Sequence, residues 1–335
     1  MILVTGGTGL VGSHLLYSLL KDNNTVRAIH RKDSDLEAVK KVFSYYTHDA
    51  EVLFKKIEWV EANILDIPTL TEAFKGVTHV YHAAAYISFN PKHYRKLKKA
   101  NVEGTANIVN LCLANSIKKL CYVSSVATLG AEPSGFLMNE ESAWNPEDDN
   151  SVYAITKYGA EMQVWRGTQE GLNAVIVNPG VVLGEGLWDS GSGIIFKRAS
   201  KNTSYYTSGG TGIVDVRDVV KAMIALMNSP VVNKNFVLVA KNIYYKELLS
   251  ELAVLFNKNP PFKQLSKNIL TFLRILDGFS SRLFGSRRHL VKSTVRSLCK
   301  VSFYDGSKIE GEVDFTYTPH QETLRRIAEA FKKDA

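Results

Sequence analysis

Cysteine is scarce in this chain. Its three thiols in 335 residues, Cys112, Cys121 and Cys299, stand far apart and form no CxxC pair. That pattern excludes a disulfide framework and a cysteine-built zinc site. The eight histidines include no HExxH and no cluster at metal-ligand spacing, so no metal centre is expected. No run approaches the roughly 18 uninterrupted apolar residues of a membrane span, and no signal peptide is visible ahead of the first apolar run. Internal repeats and low-complexity tracts are missing too. These absences predict a reduced, cytoplasmic protein. With 45% hydrophobic and 22% charged residues, the chain is globular rather than disordered, and long enough for one large domain or two joined ones.

What the sequence does have is an excess of positive charge: 41 Lys and Arg against 33 Asp and Glu, a net charge of +8. The excess is local. Ten Lys or Arg and a single acidic residue, Asp277, lie between residues 258 and 300, and the remainder is close to neutral. No recognised nucleic-acid-binding motif accompanies this stretch, so nucleic acid is not expected as a partner. An anionic or amphipathic substrate, or an anionic membrane surface, fits it better.

Short apolar runs at 1–4, 25–30, 57–61, 79–82, 119–123 and 174–178 alternate with helical stretches near 10–20, 93–115 and 152–170. Strands separated by helices imply parallel pairing through right-handed crossovers, hence an α/β, doubly wound sheet with its ligand crevice at the carboxyl ends of the strands. The second half is less regular. Helices are predicted at 218–228 and 245–256, a strand at 235–239, helical patterns up to about 298, and a last helix at 320–332. The expected division is a Rossmann-type domain over 1–180, to which later segments can return, and a smaller, mostly helical substrate-binding cap over 181–335.

The first strand runs into Thr5-Gly6-Gly7-Thr8-Gly9-Leu10-Val11-Gly12. Gly6 permits a tight exit from the strand, Gly9 lets backbone N–H groups approach a pyrophosphate at the positive helix end, and Gly12 lets helix and strand pack closely. A glycine trio alone says little, but this one follows the first strand of a βαβ pattern and opens an amphipathic helix. The second strand ends in His30-Arg31-Lys32, where an NAD enzyme usually carries Asp or Glu. Arg31 can pair with a 2′-phosphate, so NADP is favoured over NAD. The competing reading makes Arg31 a solvated loop charge, with Asp33 serving NAD instead.

Tyr153 and Lys157 stand four apart near the start of a predicted helix and so project from one face. An ammonium beside a phenol favours phenolate and brings a pKa of about 10 toward neutrality. Ser125 closes the strand 119–123 at the edge where the crevice lies, placed to hold a substrate oxygen. Tyr and Lys at this spacing are common by chance, and it is the glycine turn and the Ser124-Ser125 strand end that give the set its meaning.

In order along the chain, TGGTGLVG at 5–12, Ala62-Asn63-Ile64-Leu65-Asp66, His82-Ala83-Ala84-Ala85, Asn101-Val102-Glu103-Gly104-Thr105, Val123-Ser124-Ser125, Tyr153-xxx-Lys157 and Asn178-Pro179-Gly180-Val181-Val182 resemble the extended short-chain dehydrogenases/reductases, the NAD-dependent epimerase/dehydratase superfamily. The resemblance implies that Tyr153 is the catalytic acid/base, that Lys157 binds the nicotinamide ribose and tunes Tyr153, that Ser125 positions the substrate oxygen, and that Asn101 supports the site through hydrogen bonds. It also implies dinucleotide contacts from Gly6, Thr8, Gly9, Leu10, Val11, Asn63, Ile64, Ala83, Ala84, Ala85, Tyr153, Lys157, Pro179 and Val182. Ser125 is preferred to Ser124 because Gly130 follows it at the family's spacing. One departure stands out: Ala62-Asn63 replaces the usual Gly-Asp, which weakens the expected adenine contact.

Val26-Arg27-Ala28-Ile29-His30-Arg31 and Asn178-Pro179-Gly180-Val181-Val182-Leu183-Gly184 are most similar to the dihydroflavonol reductase-like and 3β-hydroxysteroid dehydrogenase-like branch. The activity implied is hydride transfer between NADPH and a ketone or aldehyde, or the reverse from a secondary alcohol. A nucleotide-sugar epimerase or dehydratase with retained NAD, and a non-catalytic NAD(P)-binding sensor, remain alternatives. The family also implies a homodimer through helices 93–115 and 152–170.

Other features carry less. His82 is expected to pack rather than ligate. Tyr86 and Ser88 either line the substrate side or are plain loop residues, and Asp218 reads as a carboxylate at a helix N-terminus. Over 265–284, Leu265, Ile269, Phe272, Leu276, Phe279 and Leu283 form an apolar face with Lys267 and Arg274 opposite. A cap over the substrate cleft is the simpler expectation for it, and contact with a membrane surface or lipid-like substrate the sharper one.

Overall fold

The computed structural model describes residues 1–132, 136–284 and 290–334. Twelve strands are present among them: β1 (Ile2–Thr5), β2 (Val26–His30), β3 (Glu58–Glu61), β4 (His79–His82), β5 (Lys119–Val123), β6 (Ala174–Pro179), β7 (Val181–Leu183), β8 (Tyr205–Tyr206), β9 (Gly210–Asp215), β10 (Lys234–Leu238), β11 (Lys241–Tyr244) and β12 (Lys263–Gln264). Seven form the central sheet in the order β10-β6-β5-β4-β1-β2-β3. Every pairing in it is parallel. The strand order reverses at β1, which puts the crevice of a doubly wound sheet at the carboxyl ends of β1 and β4.

The apolar runs make this sheet because both of its faces are covered. Val4 faces a core with Leu15, Leu16, Val219, Met223 and Phe236, while its neighbour Leu3 faces another with Ile108, Val109, Leu120, Val164 and Ile176. The helices Leu10–Lys21 and Val216–Asn228 cover the first side, and Gly104–Ala114 and Val152–Gln169 the second.

A second sheet, β11-β9-β7, begins directly after β6. Its elements are joined to the last helix, His320–Asp334, by an ion cluster. Arg326 bridges Asp215 at 2.8 Å and Glu185 at 3.4 Å, and Arg217 pairs with Glu185. Asp215, rather than Asp218, caps Val216–Asn228, accepting from Arg217 N at 2.9 Å. Asp218 does lie in the first turn, where its carboxylate accepts from the backbone and hydroxyl of Thr318 at 2.8 Å each.

Two expectations need correcting. The stretch 93–115 is not one regular helix but a 3-10 turn (Pro91–His93), a short α segment (Tyr94–Leu97), a wide π turn (Lys98–Glu103) and then Gly104–Ala114. The helix Lys267–Phe284 exists, yet Ile269, Phe272 and Leu276 from its apolar face point outward. The face against the protein holds buried Leu270 and half-buried Arg274 and Asp277. The side chains of Phe279 and Leu283, which complete the expected stripe, lie outside the described residues. No described helix is long and apolar enough to cross a membrane.

Candidate active site

The glycine turn follows from backbone demands. Gly6 sits at φ +74°, and a Cβ there would stand 2.5 Å from Ala84 N. At Gly12 a Cβ would be 2.1 Å from the Gly6 carbonyl oxygen, so only glycine lets the helix start against the strand exit. The helix Leu10–Lys21 opens at Gly9 with no side-chain cap and no acidic residue in its first turn. Its leading N–H groups, flanked by Thr8, Leu10 and Val11, therefore form an uncapped positive end suited to a pyrophosphate. The Ala83–Ala85 backbone is tied to the same turn, with Ala83 N donating to Thr5 O at 3.1 Å and Ala84 N to Thr5 Oγ1 at 3.3 Å.

Beyond the ends of β2 and β3, Arg31, Lys32, Asp33, Ala62, Asn63 and Asp66 line a cavity of about 450 Å³. Arg31 and Asn63 are thus brought together. Asn63 Oδ1 accepts from Leu65 N at 3.0 Å, and Arg31 Nε lies 3.4 Å from Asp33 Oδ1. The cavity holds charges of both signs, so it does not decide between NADP and NAD. Ile64 packs against Gly104. Pro179 closes β6 at the crevice edge of the main sheet, whereas Val182 belongs to the second sheet.

Ser125 Oγ accepts from Ala127 N at 3.2 Å and lies near enough to Tyr153 for its side chain to influence the phenol. Ser124 is engaged elsewhere: its hydroxyl donates to Glu161 Oε2 at 2.5 Å, in a buried cluster with Thr128 and Asn178. Asn101, in the π turn, holds both backbone groups of Tyr86 (2.7 and 3.0 Å) and donates to Thr156 Oγ1 at 3.2 Å. Phe89 packs edge-on against Tyr153, 5.5 Å between centroids.

Lys157 has close partners that its spacing from Tyr153 does not announce. Its ammonium donates to Tyr122 Oη at 2.7 Å and the Val123 carbonyl at 2.8 Å. Burial lowers it to about 7. The expected depression of Tyr153 is absent: burial pushes its phenol up to about 12, and the hydrogen bond with Ser125 opposes this only in part. His82 packs as expected. Its Nδ1 lies 2.6 Å from Thr5 Oγ1 and its Nε2 2.9 Å from Thr105 Oγ1, with burial lowering the ring to about 3. Ser88 Oγ lies 2.8 Å from His93 Nδ1, and Tyr86 Oη is 3.5 Å from the same nitrogen.

Sequence reasoning missed Tyr122, Glu161 and Thr156. The signal for Glu161 was present, since Tyr153, Lys157 and Glu161 recur every four residues along one helix face.

An uncapped helix end beside a glycine turn, at the reversal point of a parallel sheet, defines a dinucleotide-binding α/β protein of Rossmann type. The sequence profile of the NAD dependent epimerase/dehydratase family matches residues 2–239, and the chain belongs to that family, the extended short-chain dehydrogenases/reductases. It is accordingly an NAD(P)-dependent oxidoreductase. A Synechocystis protein provisionally named dihydroflavonol 4-reductase is 27% identical over 331 residues, 96% of this chain and 91% of that one. Cinnamoyl-CoA reductase 1 of Petunia hybrida is 24% identical, covering 78% of each chain. Among solved structures, gox2253 superposes with a TM-score of 0.81 at 27% identity, covering 100% of this chain and 98% of that one. A Thermotoga maritima UDP-glucose 4-epimerase gives 0.78 at 19% identity over 99% of both, a likeness of fold alone.

Proposed function

We propose that the protein is a reductase acting on a ketone or aldehyde with NADPH, and in reverse a secondary-alcohol dehydrogenase. The observation that carries this reading is the buried phenol of Tyr153 lying close enough to Ser125, at the carboxyl end of β5, for the serine side chain to act on it. Bound in the crevice, the dinucleotide supplies or takes up the hydride. The chain's own residues do the rest. Gly6, Thr8, Gly9, Leu10 and Val11 receive the pyrophosphate at the helix end, Asn63 and Ile64 the adenine side, and Ala83, Ala84, Ala85, Pro179 and Val182 the nicotinamide side. Ser125 hydrogen-bonds the substrate oxygen, and Tyr153 gives it a proton as negative charge develops there. A phenol held protonated by burial is the form that reduction needs. Lys157 holds the nicotinamide ribose, while Asn101 fixes the Tyr86 loop and, through Thr156, the helix carrying Tyr153. The engagement of Ser124 by Glu161 supports assigning the substrate role to Ser125.

Arg31, with its side chain 63% exposed at the adenosine cavity, supports NADPH over NADH. The kcat/KM ratio for the two cofactors in wild type and Arg31→Ala tests this, and an NADH preference in wild type overturns it. The activity itself is tested by following absorbance at about 340 nm against a carbonyl panel, beside nucleotide-sugar turnover. Sugar turnover without net NADPH change would make the protein an epimerase. The helices Gly104–Ala114 and Val152–Gln169 are proposed to carry a homodimer contact. A monomer mass by light scattering at micromolar concentration counts against it.

A further inference from the structure

The helix Lys267–Phe284 is turned inside out for a helix in water. Ile269, Phe272, Leu273, Ile275 and Leu276 are all exposed, Phe272 to 60%, while the opposite side places Leu270, Arg274 and Asp277 toward the protein. At 100° per residue the five exposed side chains span one continuous arc, with no charged residue inside it. A helix held by packing alone shows the reverse arrangement. Phe262, in the segment leading to the helix, is also 68% exposed.

The segment around this arc is strongly basic. Lys258, Lys263, Lys267 and Lys300 are exposed, Lys292 is exposed beside Asp149 at 3.4 Å, and Asp277 is the sole acidic residue from 258 to 300. Bulky apolar side chains on one arc, in a segment with a strong excess of basic residues, match the two terms that hold a peripheral helix to an anionic bilayer: buried apolar area and attraction to acidic headgroups. A second copy of this strongly basic surface would bring like charges together. The helix is also anchored rather than loose. Leu290 N donates to Asp277 Oδ2 at 2.9 Å, and the neighbouring helix Lys292–Cys299 reaches the catalytic half through Ser293 Oγ to Phe89 O (3.2 Å) and the Arg296–Asp149 ion pair.

We infer that the arc from Ile269 to Leu276 is a docking surface for anionic membrane, on which the protein lies peripherally, no described helix being able to span it. Because the neighbouring helix bonds Phe89, whose ring packs on Tyr153, docking near the site suits an amphipathic carbonyl substrate. This last consequence rests on the proposed reductase function; the docking does not.

The test is vesicle flotation of the full chain, with phosphatidylcholine vesicles containing about a third phosphatidylglycerol and with phosphatidylcholine alone. Binding to the anionic vesicles is expected, weakened at least about tenfold by raising salt from 0.05 to about 0.5 M. The double variant Phe272→Glu/Leu276→Glu is expected to lose binding at least about tenfold while keeping its circular dichroism, thermal midpoint and NADPH affinity. Lys258→Gln/Lys263→Gln, which leaves the apolar arc intact, is expected to lose selectivity for the anionic vesicles. Failure of wild type to float with anionic vesicles at low salt overturns the inference, as does undiminished binding by the glutamate variant. So does a self-associated wild type whose light-scattering mass falls to that of a smaller species in the glutamate variant, since the arc would then be an interface between copies. None of these readouts depends on turnover, so a failed reductase assay leaves the result intact.

Discussion

Replacing Tyr122 with phenylalanine removes a single oxygen from the interior, so its effect reports what that oxygen does. Tyr122 is 1% exposed, and its hydroxyl accepts from Lys157 Nζ at 2.7 Å. The same ammonium donates to the Val123 carbonyl and lies 4.4 Å from the centroid of the Tyr122 ring. A hydrogen bond to a charged group is worth about 1.5–3 kcal/mol, and each pH unit of midpoint corresponds to about 1.4 kcal/mol. Loss of the hydroxyl therefore lowers the Lys157 midpoint by about 1–2 pH units. Phenylalanine keeps the ring face, which places the expectation near one unit. In wild type Lys157 titrates at about 7, so about half the ammonium is charged at pH 7, and in the variant about a tenth. The direct assay is a ¹³C NMR titration of lysine-labelled protein, with the Lys157 resonance identified by its loss in Lys157→Arg. If the site works as proposed, kcat/KM at pH 7 falls several-fold and recovers toward pH 6. Linkage supplies a second readout. A lysine depressed below its unfolded value costs stability most below its folded midpoint, and stability returns as pH rises toward the unfolded value. In wild type that rise begins near pH 7; in Tyr122→Phe it begins lower. A Lys157 midpoint that stays put, or moves up, refutes the reasoning.

Other consequences are equally concrete. Gly12→Ala puts a methyl group 2.1 Å from the Gly6 carbonyl oxygen, so the helix start must shift. NADPH affinity by fluorescence titration should fall at least about tenfold, and unchanged affinity would falsify the close-packing argument. His14 and His82 are buried and lowered to about 4 and about 3, so the unfolded chain takes up protons first as pH falls below about 6.5. Each then removes about 2 kcal/mol of stability by pH 5, and a urea midpoint that holds steady between pH 7 and 5 contradicts this. Glu161→Leu strands the donors of Ser124, Thr128 and Asn178. Destabilisation of about 3 kcal/mol is expected in urea, with much of it recovered in Glu161→Gln.

The first half of the fold was legible because its signals are local. A four-residue apolar strand, a glycine turn and an amphipathic helix follow one another without interruption, and Tyr153 and Lys157 share a helix face by spacing alone. What stayed hidden was tertiary. Nothing in the helix Val152–Gln169 announces that Lys157 reaches back to a tyrosine on β5, so an electrostatic argument from spacing assigned its charge to Tyr153. Periodicity found the apolar face of Lys267–Phe284 but carries no information on which way that face points. The strands β7, β9 and β11 have three, six and four residues, and two of the six in β9 are glycine. Such pieces are too short or too glycine-rich for alternation to stand out. Asp218 was legible as a carboxylate at a helix entry, but its partner Thr318 lies about a hundred residues downstream and could not be read from the local sequence.

The position of β10 also constrains how the chain is made. β6, Ala-Val-Ile-Val-Asn-Pro, is buried at every position and pairs on its outer side with a strand that begins only at Lys234. During synthesis the whole second sheet strand β9 and the helix Val216–Asn228 emerge before that partner exists. For that interval β6 is an open, apolar edge with unpaired N–H and C=O groups, the kind of template that recruits other chains. Production yield should therefore depend on chaperone capacity during this window more than on the stability of the finished protein, and a chain stopped near residue 180 should aggregate rather than fold as a smaller nucleotide-binding unit.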